Sequence, residues 1–281
     1  MVRFPVPPNA WDMHFHVFEA GAHANPGAAY APMDAPVEKL DRMHQRIGIE
    51  RGLVVQSTAA TADNDALIRL LAANPRLRGV VRYTPALDER EIERLHAAGV
   101  RGVRFAFARF MKQPRVSRDV FDRTVALVAP FGWHVKVHVQ GPDLLELADW
   151  FRDTRSPLVI DHVAHLLPSA GLQQPALACL LELTARPHIW NLLCNFDRWS
   201  DEGPPHYADA LPMARRVLAA APERAIWGTD WPHPIYRRPE SPNDPAPDEA
   251  LLLNLLGEIA DDDQAMLQRI LVDNPSRLLG R

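Results

Sequence analysis

The feature that most constrains the fold is a regular alternation of strand-like and helix-like segments along the chain. Eight short segments rich in β-branched and apolar residues predict buried parallel strands, at 12–17, 52–56, 77–83, 102–107, 133–139, 158–161, 189–195 and 225–229. Amphipathic segments lie between them and predict helices, at 37–47, 64–73, 89–98, 120–129, 144–151, 177–185, 207–220 and 248–259. Such an alternation is typical of α/β proteins with a parallel sheet.

Eight strand–helix units in a chain of 281 residues favour a closed (β/α)8 barrel, the TIM-barrel fold, as a single domain over residues 1–281. The alternative is an open, doubly wound sheet. That fold commonly carries a glycine-rich phosphate loop, and the sequence has neither GxGxxG nor GxxxxGK[S/T]. The proline-rich segment 232–247 is interpreted as a flexible flap rather than a domain boundary.

Composition narrows the range of partners. A net charge of −4 gives no electrostatic reason to expect nucleic acid. No segment approaches the roughly 20 apolar residues that span a bilayer, so no membrane partner is expected. The first residues lack the apolar run of a secretory signal, and the chain has only 2 cysteines, so the expected location is the cytoplasm. Homo-oligomerisation is left open.

Polar side chains lie at the ends of several predicted strands, where a barrel opens onto its active site. His14 and His16 are two residues apart on the first strand and therefore point to the same side. His138 ends the fifth strand, His162 follows the sixth and Asp230 follows the eighth. Each histidine alone is as readily a hydrogen-bonded interior residue, but together these side chains predict one common site.

The residue types at these strand ends indicate metal or water chemistry. Imidazole nitrogens and a carboxylate oxygen suit one divalent ion such as zinc or manganese. Such an ion would lower the pKa of a bound water to roughly 7. Asp230 is then the candidate general base that takes a proton from this water.

Four motifs together resemble the amidohydrolase superfamily and, within it, amidohydrolase-related family 2. They are HxH on the first strand, GVRGVRF at 99–105, VIDH at 159–162 and GTDWPHP at 228–234. The resemblance extends to VVQSTAATADNDALI at 54–68 and DNPSRLLG at 273–280, and so covers nearly the whole chain. It is strongest to the branch that acts on pyrone dicarboxylate and sulfomuconolactone. This resemblance implies a distorted (β/α)8 barrel and hydrolysis of a small anionic lactone.

The resemblance also implies roles for individual residues. Asp230 would be the base for water, and His14, His16 and His162 would be the other catalytic residues. Substrate contacts are expected from Arg104, Arg198, Thr58, His233 and His165. A divalent metal, zinc or manganese, would be held by His14, His16, His138 and Asp230. Catalysis without a metal is the alternative, because the branch is divided on this point.

The sequence departs from the branch in ways that bear on the substrate. Phe110 stands where the pyrone lactonases have an arginine, with Arg109 beside it, and His165 stands where an arginine is common. Two carboxylate contacts are therefore lost or moved, which argues against pyrone dicarboxylate itself. Metal-dependent nonoxidative decarboxylation and lactone isomerisation on the same scaffold stay open. A barrel that binds a carboxylated ligand without catalysis is the alternative from another class.

Overall fold

The computed structural model describes residues 1–234 and 247–280, and its centre is a sheet of eight parallel strands. The strands are β1 Trp11–Phe15, β2 Arg51–Val55, β3 Leu77–Arg82, β4 Val100–Ala106, β5 His134–His138, β6 Leu158–Ile160, β7 Ile189–Leu193 and β8 Ala225–Trp227. Their order in the sheet follows the sequence. The predicted (β/α)8 barrel is confirmed, and each predicted strand is present with its ends shifted by at most about two residues, within the usual uncertainty of such boundaries.

Helices connect the strands on the outside of the sheet. Those of the described residues are α1 Val37–Ile47, α2 Asn64–Ala73, α3 Glu89–Ala97, α4 Arg118–Val128, α5 Gly141–Asp153, α6 Pro175–Thr184, α7 Phe196–Trp199, α8 Leu211–Ala220, α9 Glu249–Ile259, α10 Gln264–Gln268 and α11 Asn274–Leu278. The carboxylate of Asp63 caps α2 by accepting from the backbone N–H of Ala66 at 2.8 Å. Most of the predicted flap, residues 235–246, lies outside the described residues.

The interior of the barrel is apolar at one end and polar at the other. Met13, Leu53, Val159 and Ile226 belong to a small hydrophobic cluster that also includes Leu278, the last residue of α11. Side chains of β5 alternate between apolar and polar residues, as expected for a strand with two different faces. The Nζ atom of the fully buried Lys136 donates to the carbonyl of Met13 on β1, at 3.2 Å, so this lysine points into the barrel.

A seam of hydrogen bonds between the first and eighth strands closes the barrel. The backbone N–H of Asp230 donates to the carbonyl of His14 at 2.8 Å. The carboxylate of Asp12 accepts from the backbone N–H of Thr229 at 3.0 Å and from the hydroxyl of the same residue. Gly228 permits this close approach, because a Cβ there would lie 2.7 Å from the backbone nitrogen of His14. The seam therefore fixes Asp230 next to the HxH motif.

Among the helices of the described residues, none has both the length and the hydropathy that crossing a bilayer requires.

Candidate active site

The carboxyl ends of the strands enclose a cavity of about 20 Å³. Seven of the predicted catalytic, substrate-binding and metal-binding residues line it: His16, Arg104, His138, His162, His165, Arg198 and Asp230. Tyr30, Phe110 and Met111 complete much of the wall. A space of this size holds about one water molecule or one ion, and the residues that line it share this centre.

His14, His16 and Asp230 form the first polar cluster in this region. The Nε2 atoms of His16 and His14 lie 3.4 Å and 3.7 Å from the same carboxylate oxygen, Oδ1 of Asp230. The Nδ1 atom of His16 lies 2.8 Å from the carbonyl of Val55, and because a carbonyl only accepts, Nδ1 carries the hydrogen. In neutral His16, Nε2 then presents a lone pair to the carboxylate. Two facing acceptors are stable only with a proton or a cation between them.

Asp230 is held as an anion although it is almost completely buried. Its Oδ2 atom accepts from Nη2 of Arg198 at 2.9 Å and from Nδ2 of Asn195 at 3.0 Å. Burial opposes ionisation, but the charge of Arg198 holds the pKa of Asp230 well below its usual value. The second oxygen, Oδ1, is therefore the one directed at the two histidines of β1.

Three histidines on the other side of the cavity form a second polar cluster. Nε1 of Trp199 donates to Nδ1 of His165 at 2.9 Å, so Nε2 of His165 carries the hydrogen and donates to Nε2 of His138 at 2.7 Å. Burial, followed by the charge of Arg198, lowers the pKa of His165 to about 3, and burial lowers those of His138 and His162 well below the usual value. All three imidazoles are therefore neutral at physiological pH.

A buried network of ionised groups supports the cavity from below. Asp161, which follows β6, lies 2.8 Å from Nε of Arg104, 3.2 Å from Nζ of Lys136 and 3.5 Å from Nδ1 of His14. Burial opposes ionisation of this carboxyl, but Lys136 and Arg104 hold the pKa of Asp161 well below its usual value. The guanidinium of Arg104 is thereby fixed by one nitrogen at the cavity wall.

Not every residue predicted for substrate contact lies at this cavity. Thr58 is buried, and its hydroxyl has no hydrogen-bond partner among the described residues, but it does not line the cavity. His233 lies 3.1 Å from Glu249 through Nε2 and is also outside the wall. Arg109 pairs with Glu146 on the surface, so it does not take the place that Phe110 occupies at the cavity.

The donor atoms fit a divalent metal ion. His14, His16 and Asp230 form one group whose ligand atoms lie within 4.8 Å of one another. His14 also groups with Asp161 and His162, whereas His138 groups with His162 and His165. Both ring nitrogens of His14 are buried and make no hydrogen bond within the described residues, which leaves them available as ligands. The predicted fourth ligand, His138, instead accepts a hydrogen bond at its Nε2 atom from His165.

Sequence reasoning missed several residues of this site. Tyr30 lines the cavity, and its hydroxyl lies 2.8 Å from that of Ser57, but it comes from a loop without a recognisable motif. Asn195 and Asp161 gave no local signal for their contacts with Asp230 and Arg104. Lys136 did give one, because a polar residue at the centre of HVKVH in a buried strand indicates a charge that points into the barrel.

A closed parallel (β/α)8 barrel with neutral histidines and an ionised aspartate at the carboxyl ends of its strands defines an enzyme of the metal- or water-activating type. The family comparison agrees. The chain belongs to the amidohydrolase family, whose sequence model, described as "Amidohydrolase", matches residues 11–281. The resemblance of the motifs to this family is thus confirmed. Family members commonly bind a divalent metal, and this chain has histidine and aspartate clusters able to hold one.

Curated relatives and solved structures are similar over nearly the whole chain. The 4-sulfomuconolactone hydrolase of Rhizobium radiobacter is 36% identical over 284 residues, which cover 99% of this chain and 92% of the relative. The 2-pyrone-4,6-dicarboxylate hydrolase of Comamonas testosteroni is 33% identical over 287 residues, covering 98% of this chain and 92% of the relative. A solved structure from Agrobacterium tumefaciens is 28% identical, with a TM-score of 0.84 and coverage of 100% and 99%.

Proposed function

We propose that this protein hydrolyses a small carboxylated lactone by attack of an activated water. The relatives named as lactone hydrolases support this substrate class. The observation that carries the proposal is the contact of Asp230 with His16 and with His14, which lies behind the wall, at a cavity that Asp230, His16, Arg104 and Arg198 line. A base, polarising groups and carboxylate-binding cations are the parts that this hydrolysis needs.

The proposed reaction assigns one role to each group. Arg104 and Arg198 hold the carboxylate of the substrate, because a guanidinium binds both carboxylate oxygens. Oδ1 of Asp230 takes a proton from the water that attacks the ring carbonyl, and the ionised state of this carboxyl is the one a base needs. An N–H of His162 stabilises the resulting oxyanion. Asp230 then returns its proton to the leaving ring oxygen. Thr58, His165 and His233 stay predicted substrate contacts.

We further propose one divalent ion, zinc or manganese, with His14, His16 and Asp230 as ligands. Support comes from the facing lone pairs of His16 and Asp230, which a cation between them would satisfy. When bound, such an ion supplies Lewis acidity and lowers the pKa of a bound water. A further ligand would be His162 or the originally predicted His138. Cytoplasmic location and homo-oligomerisation stay predictions.

Metal content is the direct test of this ligand set. Protein purified without added metal is expected to contain about one zinc or manganese per chain by elemental analysis, since three protein ligands are enough to hold a catalytic ion. His16→Ala is expected to lose most of this metal, whereas the control His206→Ala, which alters an exposed histidine, keeps it. Full activity in wild-type protein that contains no metal would contradict the proposal and favour catalysis without a metal.

Isotope incorporation tests the reaction type. When a carboxylated lactone is converted in H₂¹⁸O, hydrolysis is expected to place one ¹⁸O in the new carboxylate of the product, as measured by mass spectrometry. Lactone isomerisation would consume the lactone without incorporating solvent oxygen. A decarboxylase would release carbon dioxide and leave the ring bond intact. Either of these two results would replace the proposed hydrolase function.

A further inference from the structure

A second, larger cavity lies beside the one described above. Its volume is about 300 Å³, which falls at the lower end of the range for small-molecule sites. Arg104 lines both cavities, so the two lie next to each other at this residue. Two further arginines, Arg82 and Arg115, line the larger cavity. The reaction proposed above gives these two residues no role.

The strand register places Arg82 directly beside Arg104. Arg82 is the last residue of β3, and its Cα partner in the parallel pairing with β4 is Arg104. Neighbouring strands are about 4.8 Å apart, and aligned residues of parallel neighbours direct their side chains to the same face. Two guanidinium groups therefore leave adjacent strands side by side at the carboxyl end of the barrel.

The acidic partners of these arginines are distributed unequally. Arg104 is paired with Asp161, and Arg115 is paired with Asp143 and Glu146. For Arg82, residues 1–234 and 247–280 provide no ion pair, and its guanidinium makes one long hydrogen bond of 3.4 Å to the carbonyl of Thr58. Burial, followed by the charge of Arg104, lowers the pKa of Arg82, and no carboxylate of the described residues offsets this effect.

We propose that Arg82 and Arg104 form a subsite for an acidic group of the substrate, a carboxylate or a sulfonate. An anion between the two guanidinium groups removes their repulsion and accepts charge-assisted hydrogen bonds from both. With Arg104 engaged in this subsite, Arg198 alone binds the carboxylate that the proposed reaction gave to both arginines, and the substrate therefore has two acidic groups on a small ring. That the ring is a lactone rests on the proposed function, whereas the anion subsite does not.

Binding of two aromatic acids tests the subsite without any turnover. The probes are benzene-1,3-dicarboxylate and benzoate, which differ by one carboxylate, and the measurement is isothermal titration calorimetry. Unaltered protein is expected to bind the dicarboxylate more tightly. Arg82→Met is expected to weaken dicarboxylate binding by about tenfold or more, since a hydrogen bond between charged groups is lost. The same variant is expected to change benzoate binding by less than about twofold.

Arg78→Met is the matched control, because Arg78 is on the same strand, is half-buried and pairs with no acid of the described residues. It lies at the opposite end of β3, so dicarboxylate binding should be unchanged. Melting curves establish whether the variants fold. If Arg82→Met does not fold, Arg82→Lys is the second variant, because it keeps the positive charge but lacks the guanidinium that binds two carboxylate oxygens. It is expected to weaken dicarboxylate binding by about threefold or more.

Three results would overturn the subsite. The first is equal binding of the two probes by unaltered protein, and the second is unchanged dicarboxylate binding in the folded Arg82 variant. The third is a loss of dicarboxylate affinity in Arg78→Met as large as that in the Arg82 variant, which would show that net charge alone accounts for the effect. Failure of the proposed function has a different signature. If no lactone is opened but dicarboxylate binding depends on Arg82, the subsite stands and the hydrolase assignment falls.

Discussion

Asp230→Asn is expected to lower kcat for lactone opening by about a thousandfold while the protein stays folded. The asparagine has nearly the same shape and can still accept from Arg198, but its amide cannot take a proton from water. General bases contribute about 10²–10⁴-fold to catalysis, and this carboxylate also carries the charge that faces His14 and His16. Steady-state kinetics with a carboxylated lactone measure the loss.

Asp197→Asn is the matched control for this substitution. Asp197 lies in α7 next to Arg198, and burial raises the pKa of its carboxyl, but it does not line the small cavity. A change of less than about threefold in kcat is expected there, since this side chain does not line the small cavity and is given no part in the reaction. Metal content should be measured in both variants, because Asp230 is also a proposed ligand. Undiminished kcat in folded Asp230→Asn would remove this residue from the role of base.

Asp161→Ala is expected to lower the free energy of unfolding by about 3–5 kcal/mol, the usual cost of removing one partner from a buried ion pair. The substitution would leave Arg104 and Lys136 without their carboxylate in a region closed to solvent. Urea denaturation followed by circular dichroism measures the change. Lys136→Met added to this variant is expected to restore part of the stability, because it removes one of the two uncompensated charges.

The control for this stability prediction is Asp122→Ala on the surface of α4. Asp122 pairs with Arg118 at 2.7 Å, but both side chains are substantially exposed. Such pairs contribute about 0–1 kcal/mol, since water screens them. A loss in Asp161→Ala no larger than that of the control would show that the buried network does not stabilise the barrel.

Much of the fold follows from local sequence patterns. Short β-branched segments predict all eight strands, and the bounds of α1 and α2 are those expected from their apolar spacing. The ends of β1, β7 and β8 come two residues earlier than predicted, and β4 begins two residues earlier, because apolar content alone does not show where the sheet pairing starts and stops. The sequence-based helix at 207–220 begins only at Leu211, after turns that its apolar spacing does not reveal.

The candidate site is only partly predictable, because its contacts join distant strands. The convergence of Asp230 with the HxH motif follows from the topology of a barrel, in which the last strand lies next to the first. The pairing of Asp161 with both Arg104 and Lys136 depends on strand register, which motifs do not encode. Tyr30 reaches the cavity from an irregular loop, and no periodicity indicates where such a side chain points.

The closing seam also has a consequence for the order of biosynthesis. Asp12 and Thr229 are 217 positions apart, so their hydrogen bonds cannot form until most of the chain has left the ribosome. One edge of the first strand has no hydrogen-bond partner while the other seven strands are synthesised. Contacts between positions so far apart in the sequence also slow folding. Lactone-opening activity that appears during translation would therefore report closure of the barrel, since a nascent chain that ends before the eighth strand cannot bring Asp230 to His14.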